Sequence, residues 1–246
     1  MTSLTAERAF DNVCTIGGHR IHVRVDRRSG GRPLMLLNGL TRPLERWDPL
    51  VAALGDRTVV RFDPPGIGSS PSSLLPLSIA ALAEIAAGVL DAVEVPVSDV
   101  LGYSHGGAVA QELSHGSPDK VGSLILASTT CGVGSAFGGL EVLAAMLRPE
   151  RAPRGSTANA HPVAIFYRSL AIACWTSIPF LGSISKPTLV ISGDRDRLVP
   201  PANGRVLAGR IPNATAITVP AGHDLQHPKC ASDLAKVVSE FLDAHG

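Results

Sequence analysis

The chain has 246 residues, of which 45% are hydrophobic, and carries a formal net charge of +1. That length suits one α/β domain with an insertion, and the apolar content is enough for a sizeable core. A near-neutral balance without a basic cluster argues against nucleic acid or an anionic membrane surface as partner, and no apolar run is long enough to span a bilayer. Residues 1–8 have no apolar h-region. Cys14, Cys131, Cys174 and Cys230 are scattered and form no C-x-x-C pair, so reduced thiols in a cytoplasmic protein are expected.

Residues 12–16 and 20–25 alternate apolar and polar around Gly17-Gly18, which predicts a β-hairpin. A polar loop over 27–32 leads to a continuous apolar run over 34–37, the pattern of a strand covered on both faces, ending at Asn38-Gly39-Leu40. A short helix is expected over 47–54 and a second buried strand over 58–62. The Pro- and Gly-rich loop Asp63-Pro64-Pro65-Gly66-Ile67-Gly68-Ser69-Ser70 follows, then an alanine-rich helix over 77–93. A strand over 97–101, a helix over 108–113 and a strand over 121–127 continue the alternation. It breaks over 131–185, where two helical segments, 140–147 and 163–175, flank a polar stretch at 148–159. It resumes with a strand over 187–192, a helix over 204–210, a strand over 214–219 and a final helix over 232–244. Strands alternating with helices predict a mostly parallel sheet with helices on both faces. The break predicts an insertion over the carboxyl ends of the strands, where open α/β sheets bind ligands.

Between the strand at 97–101 and the helix after it lies Gly102-Tyr103-Ser104-His105-Gly106. G-x-S-x-G on a strand-to-helix turn is a nucleophile elbow, and the two glycines let strand and helix pass close to a strained serine. A serine hydroxyl needs a base, and the base needs an orienting acid; on such an elbow these follow in the order serine, acid, histidine. Of eight histidines, His223 in Ala221-Gly222-His223-Asp224 sits in the loop after the last strand and is the expected base. For the acid, Asp194 and Asp196 compete in Gly193-Asp194-Arg195-Asp196; Asp196 is favoured because its G-x-x-D-x-x-x-P spacing to Gly193 and Pro200 resembles that of hydrolases with such an elbow. The backbone N–H groups of Leu40 and His105 are the expected oxyanion donors, each supplying about 3–4 kcal/mol. The His105 side chain either lines the pocket or faces solvent. Asp63, at a strand end, is expected to hold its own loop rather than act directly. No residue cluster has metal-ligand spacing, and Gly66-Ile67-Gly68 lacks the rest of a dinucleotide fingerprint, so neither metal nor cofactor is expected.

Together, Asn38-Gly39, the 62–70 segment, the Ser104 elbow, the 193–200 segment and Gly222-His223 resemble the α/β-hydrolases. Within that superfamily, residues 36–39, 100–111, 174–178, 186–190 and 210–214 resemble intracellular poly(3-hydroxyalkanoate) depolymerases. The resemblance implies an α/β-hydrolase core over 1–130 and 186–246 with a helical cap over 131–185, and an ester substrate. Two features depart from those enzymes: His105 stands where they usually carry tryptophan, and the insertion is shorter. Ester chemistry is therefore implied more firmly than a polymer substrate. Met146, Phe166, Tyr167, Leu170 and Trp175 are candidates to line an acyl pocket, or else to pack the cap onto the body. The same three catalytic groups could serve a cofactor-free perhydrolase, a lactonase or a C–C hydrolase. A binding protein on a hydrolase scaffold would lack one of the three groups, and none is missing. Oligomeric state is not legible.

Overall fold

The computed structural model describes residues 10–136 and 160–246. The helix expected over 140–147, the polar stretch over 148–159 and Met146 lie outside the described residues. The described chain runs β1 (Phe10–Ile16), β2 (His19–Asp26), β3 (Gly30–Leu37), α1 (Asp48–Ala53), β4 (Arg57–Phe62), α2 (Ile79–Ala92), β5 (Ser98–Tyr103), α3 (His105–Gly116), β6 (Val121–Ala127), α4 (Pro162–Ala173), β7 (Thr188–Gly193), α5 (Ala202–Arg210), β8 (Ala214–Val219) and α6 (Ala231–Asp243). One eight-stranded sheet has the order β1-β2-β4-β3-β5-β6-β7-β8. β1 pairs antiparallel with β2 and β2 antiparallel with β4; every other pairing is parallel.

The apolar runs are continuous because the sheet is buried on both sides, yet alternate residues still serve opposite faces. Met35 and Leu37 of β3, Val100 of β5, and Leu124 and Leu126 of β6 pack with α2, α3 and α5. Leu34, Leu36, Leu101, Tyr103, Ile125 and Ile191 face the other way, onto Trp47 and Leu50 and onto Leu234 and Val238 of α6. α2 opens on Ser78, whose side chain accepts the Ala81 N–H, as an N-cap serine does.

Two elements, β3 and α3, start about three residues or more before the sequence expectation, and the other starts shift less. β3 starts at Gly30, because the polar segment before Leu34 still pairs with Arg57 of β4. α3 starts at His105 and runs through Gly106-Gly107. Low helix propensity argues for a later start, but tertiary packing overrides it.

The loop after β4 is held from inside. Asp63 is fully buried; Oδ1 accepts the Leu44 N–H (2.8 Å) and Oδ2 accepts the Ser69 N–H (2.9 Å). His22 of β2 lies between two carboxylates, with Nδ1 3.0 Å from Asp63 Oδ2 and Nε2 2.6 Å from Asp11 Oδ1. Only the protonated ring donates from both nitrogens. The hydrogen bond with Asp63 raises the His22 pKa above its ordinary value, overcoming the opposing effect of burial. Among the described residues, no helix is long and apolar enough to cross a membrane.

A raised folded pKa means that the stabilisation from His22 is complete below its unfolded value of about 6.5 and is lost as pH rises through the folded value. In urea unfolding, His22→Gln should therefore cost more at about pH 5.5 than at about pH 8.5. A penalty that does not change with pH would contradict the two-carboxylate clamp.

Candidate active site

Ser104, Asp196 and His223 converge at the carboxyl ends of the parallel strands. β5 ends at Tyr103 and α3 begins at His105, which leaves Ser104 alone in the turn. Its backbone lies at φ 53 and ψ −117, a conformation that costs a residue other than glycine about 1–3 kcal/mol. The Ser104 N–H donates to the Ala127 carbonyl (2.9 Å), and its own carbonyl accepts from the Gly107 N–H (2.9 Å) and from Thr129 Oγ1 (2.7 Å). A Cβ on Gly106 would overlap the carbonyl oxygens of Leu37 and Asn38, so α3 can start this close to the end of β3 only with glycine there.

His223 lies in the loop after β8. Its Nε2 is 3.0 Å from Ser104 Oγ and its Nδ1 is 2.8 Å from Asp196 Oδ2. These partners assign the proton to Nδ1, facing a carboxylate, and leave Nε2 to accept the serine hydroxyl. Asp196, 4% exposed, uses its other oxygen to accept the N–H groups of Leu198 (2.9 Å) and Val199 (2.8 Å). Asp194 is exposed and turns to the neighbouring Arg195 at 3.2 Å. A Cβ on Gly193 would overlap the Gly222 and Ala221 carbonyl oxygens, so glycine there lets the loops after β7 and β8 touch. The Tyr103 hydroxyl donates to the His223 carbonyl at 3.0 Å, and the two rings are 5.3 Å apart.

A polar network ties the loop after β3 to the histidine loop. Asn38 Nδ2 donates to the Pro43 carbonyl (2.7 Å), and its Oδ1 accepts from Gln226 Nε2 (2.6 Å). Arg42 donates to Asp224 and to Gln226, and Arg46 reaches the other oxygen of Asp224 at 3.2 Å. Burial opposes ionisation of Asp224, but the Arg42 hydrogen bond and the two guanidinium charges outweigh it and hold its carboxyl below the ordinary value.

Leu40 follows Asn38-Gly39 in this loop. His105 opens α3, so its backbone N–H has no acceptor within the helix. The His105 side chain neither faces solvent nor stands alone: it is 5% exposed, and Nδ1 accepts from Arg168 Nη2 at 3.1 Å. Burial first, and the Arg168 charge second, lower its pKa well below the ordinary histidine value, so the ring is neutral near pH 7. Arg168, on the buried face of α4 with Ala164 and Ile165, also reaches the Gly39 carbonyl at 3.4 Å. Burial brings its pKa down to about 9, still charged at neutral pH. It borders a cavity of about 20 Å³ with Asn38 and Gly106. In the sequence Arg168 is marked only by the four-residue spacing that puts it on the same helix face as Ala164.

Of the acyl-pocket candidates, Phe166 (61% exposed) and Leu170 (47% exposed) stand on the outer face of α4, with Tyr167 6.2 Å from Phe166 between ring centres. Trp175 packs into the core of the body, and its Nε1 donates to Glu112 at 2.6 Å. None of these four borders the cavity beside the elbow. Among the described residues, no group of three His, Cys, Asp or Glu side chains is placed to hold a metal ion.

Residues 34–232 match the alpha/beta hydrolase family, and the chain belongs to it. A poly(3-hydroxyalkanoate) depolymerase of Ectopseudomonas oleovorans is 32% identical over 238 residues, which cover 85% of this chain and 84% of that protein. A 3-oxoadipate enol-lactonase 2 of Acinetobacter baylyi is 27% identical over 264 residues, covering 96% and 95% of the two chains. Among solved structures, the enol-lactonase from Burkholderia xenovorans LB400 superposes with a TM-score of 0.82 at 26% identity, covering 94% of this chain and 100% of that one.

Packing at the elbow can be tested against a control in the same helix. Gly→Ala inside a helix ordinarily gains about 0.5–1 kcal/mol. Gly106→Ala should instead lose about 1–3 kcal/mol in urea unfolding, because the added methyl has nowhere to go. Gly116→Ala, whose Cβ would meet nothing within 4 Å, should not lose stability. Equal effects at the two positions would contradict the close approach of α3 to β3.

Proposed function

We propose that this chain is a serine hydrolase of carboxylic esters, acting through a Ser104–His223–Asp196 triad and an acyl-enzyme. The observation that carries this reading is the His223 ring, within hydrogen-bond distance of Ser104 Oγ on one side and Asp196 Oδ2 on the other, at 3.0 and 2.8 Å. In the first half-reaction His223 Nε2 takes the Ser104 proton as Oγ attacks the ester carbonyl. Asp196 holds Nδ1–H and stabilises the imidazolium that forms. The tetrahedral oxyanion is received by the backbone N–H groups of Leu40 and His105, at the positive end of α3. Collapse expels the alcohol, which takes its proton from His223. Water, deprotonated by the same ring, then releases the acid and frees Ser104.

Residues 131–185 are taken as a cap over this site, with Phe166, Tyr167 and Leu170 on its helix available to an acyl chain. Trp175 is better suited to anchoring the cap on the body, given its core packing. Short- to medium-chain esters, hydroxyalkanoate oligomers among them, are the proposed substrates, in keeping with the similarity to a depolymerase. Lactones are proposed beside them, because a lactone is a cyclic ester opened by the same steps and because enol-lactonases are among the similar proteins.

A panel of p-nitrophenyl esters of increasing chain length, 3-hydroxybutyrate oligomers and lactones tests the reading. Hydrolysis of at least one ester or lactone class is expected, with Ser104→Ala lowering kcat by about 10⁴–10⁶-fold while the fold is kept. Asp196→Asn should lower it by about 10⁴-fold through the wrong imidazole tautomer, and Asp194→Asn should leave it within about threefold. Near-normal turnover by the Ser104 variant, or a larger loss at Asp194 than at Asp196, would overturn the assignment.

A further inference from the structure

Four arginines are buried among the described residues: Arg42, Arg57, Arg61 and Arg168. The first three each meet a carboxylate, Asp224, Asp243 and Asp48 respectively. A buried cation is tolerated on such terms, since desolvation without a counter-charge is expensive. Arg168 is different. It is 5% exposed, and among the described residues no carboxylate lies within ion-pair distance and its Nε and Nη1 have no hydrogen-bond partner. Its two polar contacts are the Gly39 carbonyl (3.4 Å) and His105 Nδ1 (3.1 Å).

Those contacts fall on the two residues that bear on the proposed oxyanion donors. The Gly39 carbonyl and the Leu40 N–H belong to one planar peptide unit, with the two groups on opposite sides. A cation on the carbonyl fixes the plane of that peptide, and so the direction of the N–H, and polarises it. The second contact pins the His105 ring and through it the first residue of α3, whose N–H is the other donor. Because arginine only donates, His105 Nδ1 must accept, which leaves its proton on Nε2. A carboxylate beside Arg168 would cancel its field. With none among the described residues, the guanidinium holds a positive charge that a transition-state oxyanion would complement.

We infer that Arg168 is a positioning residue that aligns and polarises the Leu40 and His105 backbone donors for the oxyanion. The inference rests on the proposed ester hydrolysis and adds the cap's contribution to it: α4 reaches from the insertion into the floor of the site.

The test compares wild type, Arg168→Met and Arg168→Lys with p-nitrophenyl butyrate and with an aryl trifluoromethyl ketone, which adds to an active serine as a tetrahedral hemiketal. Losing one oxyanion donor outright costs about 10²–10³-fold. Misaligning two should lower kcat of Arg168→Met by about 10- to 100-fold, with KM within about threefold and ketone affinity falling in step with kcat. Arg168→Lys, which keeps the charge but not the fork, should recover part of both. A merely structural link between cap and body would not make ketone affinity track kcat. The inference is overturned if Arg168→Met keeps kcat and ketone affinity within about threefold of wild type, or if its loss is confined to KM. Should the Met variant fail to fold, Arg168→Lys decides: ketone affinity at least about fivefold weaker supports the role, and unchanged affinity overturns it. Intact function in both variants beside a dead Ser104→Ala removes this inference alone. A wild-type protein that neither hydrolyses the ester nor binds the ketone removes the proposed reaction with it.

Discussion

A single strained peptide organises this molecule. Ser104 occupies a left-handed backbone conformation between the last residue of β5 and the first of α3, and neither neighbour can relax without losing its own packing. Ala127 at the end of β6 accepts the Ser104 N–H, and Thr129 just beyond it donates to the Ser104 carbonyl. Gly106 lets the helix start against the end of β3. The strain is thus held by β5 and β6 in the middle of the sheet, whose residues are almost all buried. The turn in return brings Oγ to the His223 ring and aims the N-terminus of α3 at the same spot.

The surrounding polar groups divide into two sets by how their charge is balanced. On the side of the histidine loop, Arg42 and Arg46 share Asp224, and Gln226 joins Arg42 to Asn38. In that set each guanidinium has a carboxylate within ion-pair distance, and the set acts as a brace between the loops after β3 and β8. On the side of α4, the partners of Arg168 among the described residues are a carbonyl and a neutral imidazole. A brace gains from being balanced, whereas a device for stabilising transient negative charge gains from being left unbalanced until that charge appears. The contrast between two buried arginines within one site is what gives α4 its part in the proposed chemistry.

What could be read from the sequence follows the same physics. The central strands were legible because burial on both faces writes continuous apolar runs, as at 34–37 and 121–127. The hairpin was legible from alternation around Gly17-Gly18. The elbow, and the loops carrying Asp196 and His223, were legible because each follows a strand end with a local glycine pattern. The start of α3 was not, since Gly106-Gly107 reads as a turn by propensity and is helical only because neighbouring backbones need the space. Arg168 was not, because a charged residue in an amphipathic segment reads as solvent-facing and its burial arises from how α4 docks near Gly66, where the His161 N–H meets the Gly66 carbonyl. The surroundings of His105 were open for the same reason: its partner lies 63 residues away. In the sequence Trp175 suits a pocket or packing equally; its place in the core and its contact with Glu112 show where the indole points.

Trapping the covalent intermediate gives the most direct test. Wild-type protein mixed with a slow p-nitrophenyl ester, quenched in acid within the first turnover and mapped by peptide mass spectrometry should carry one acyl group, on Ser104. An acyl group on another side chain, or steady product release with no adduct at any time before the quench, would contradict a mechanism built on this elbow.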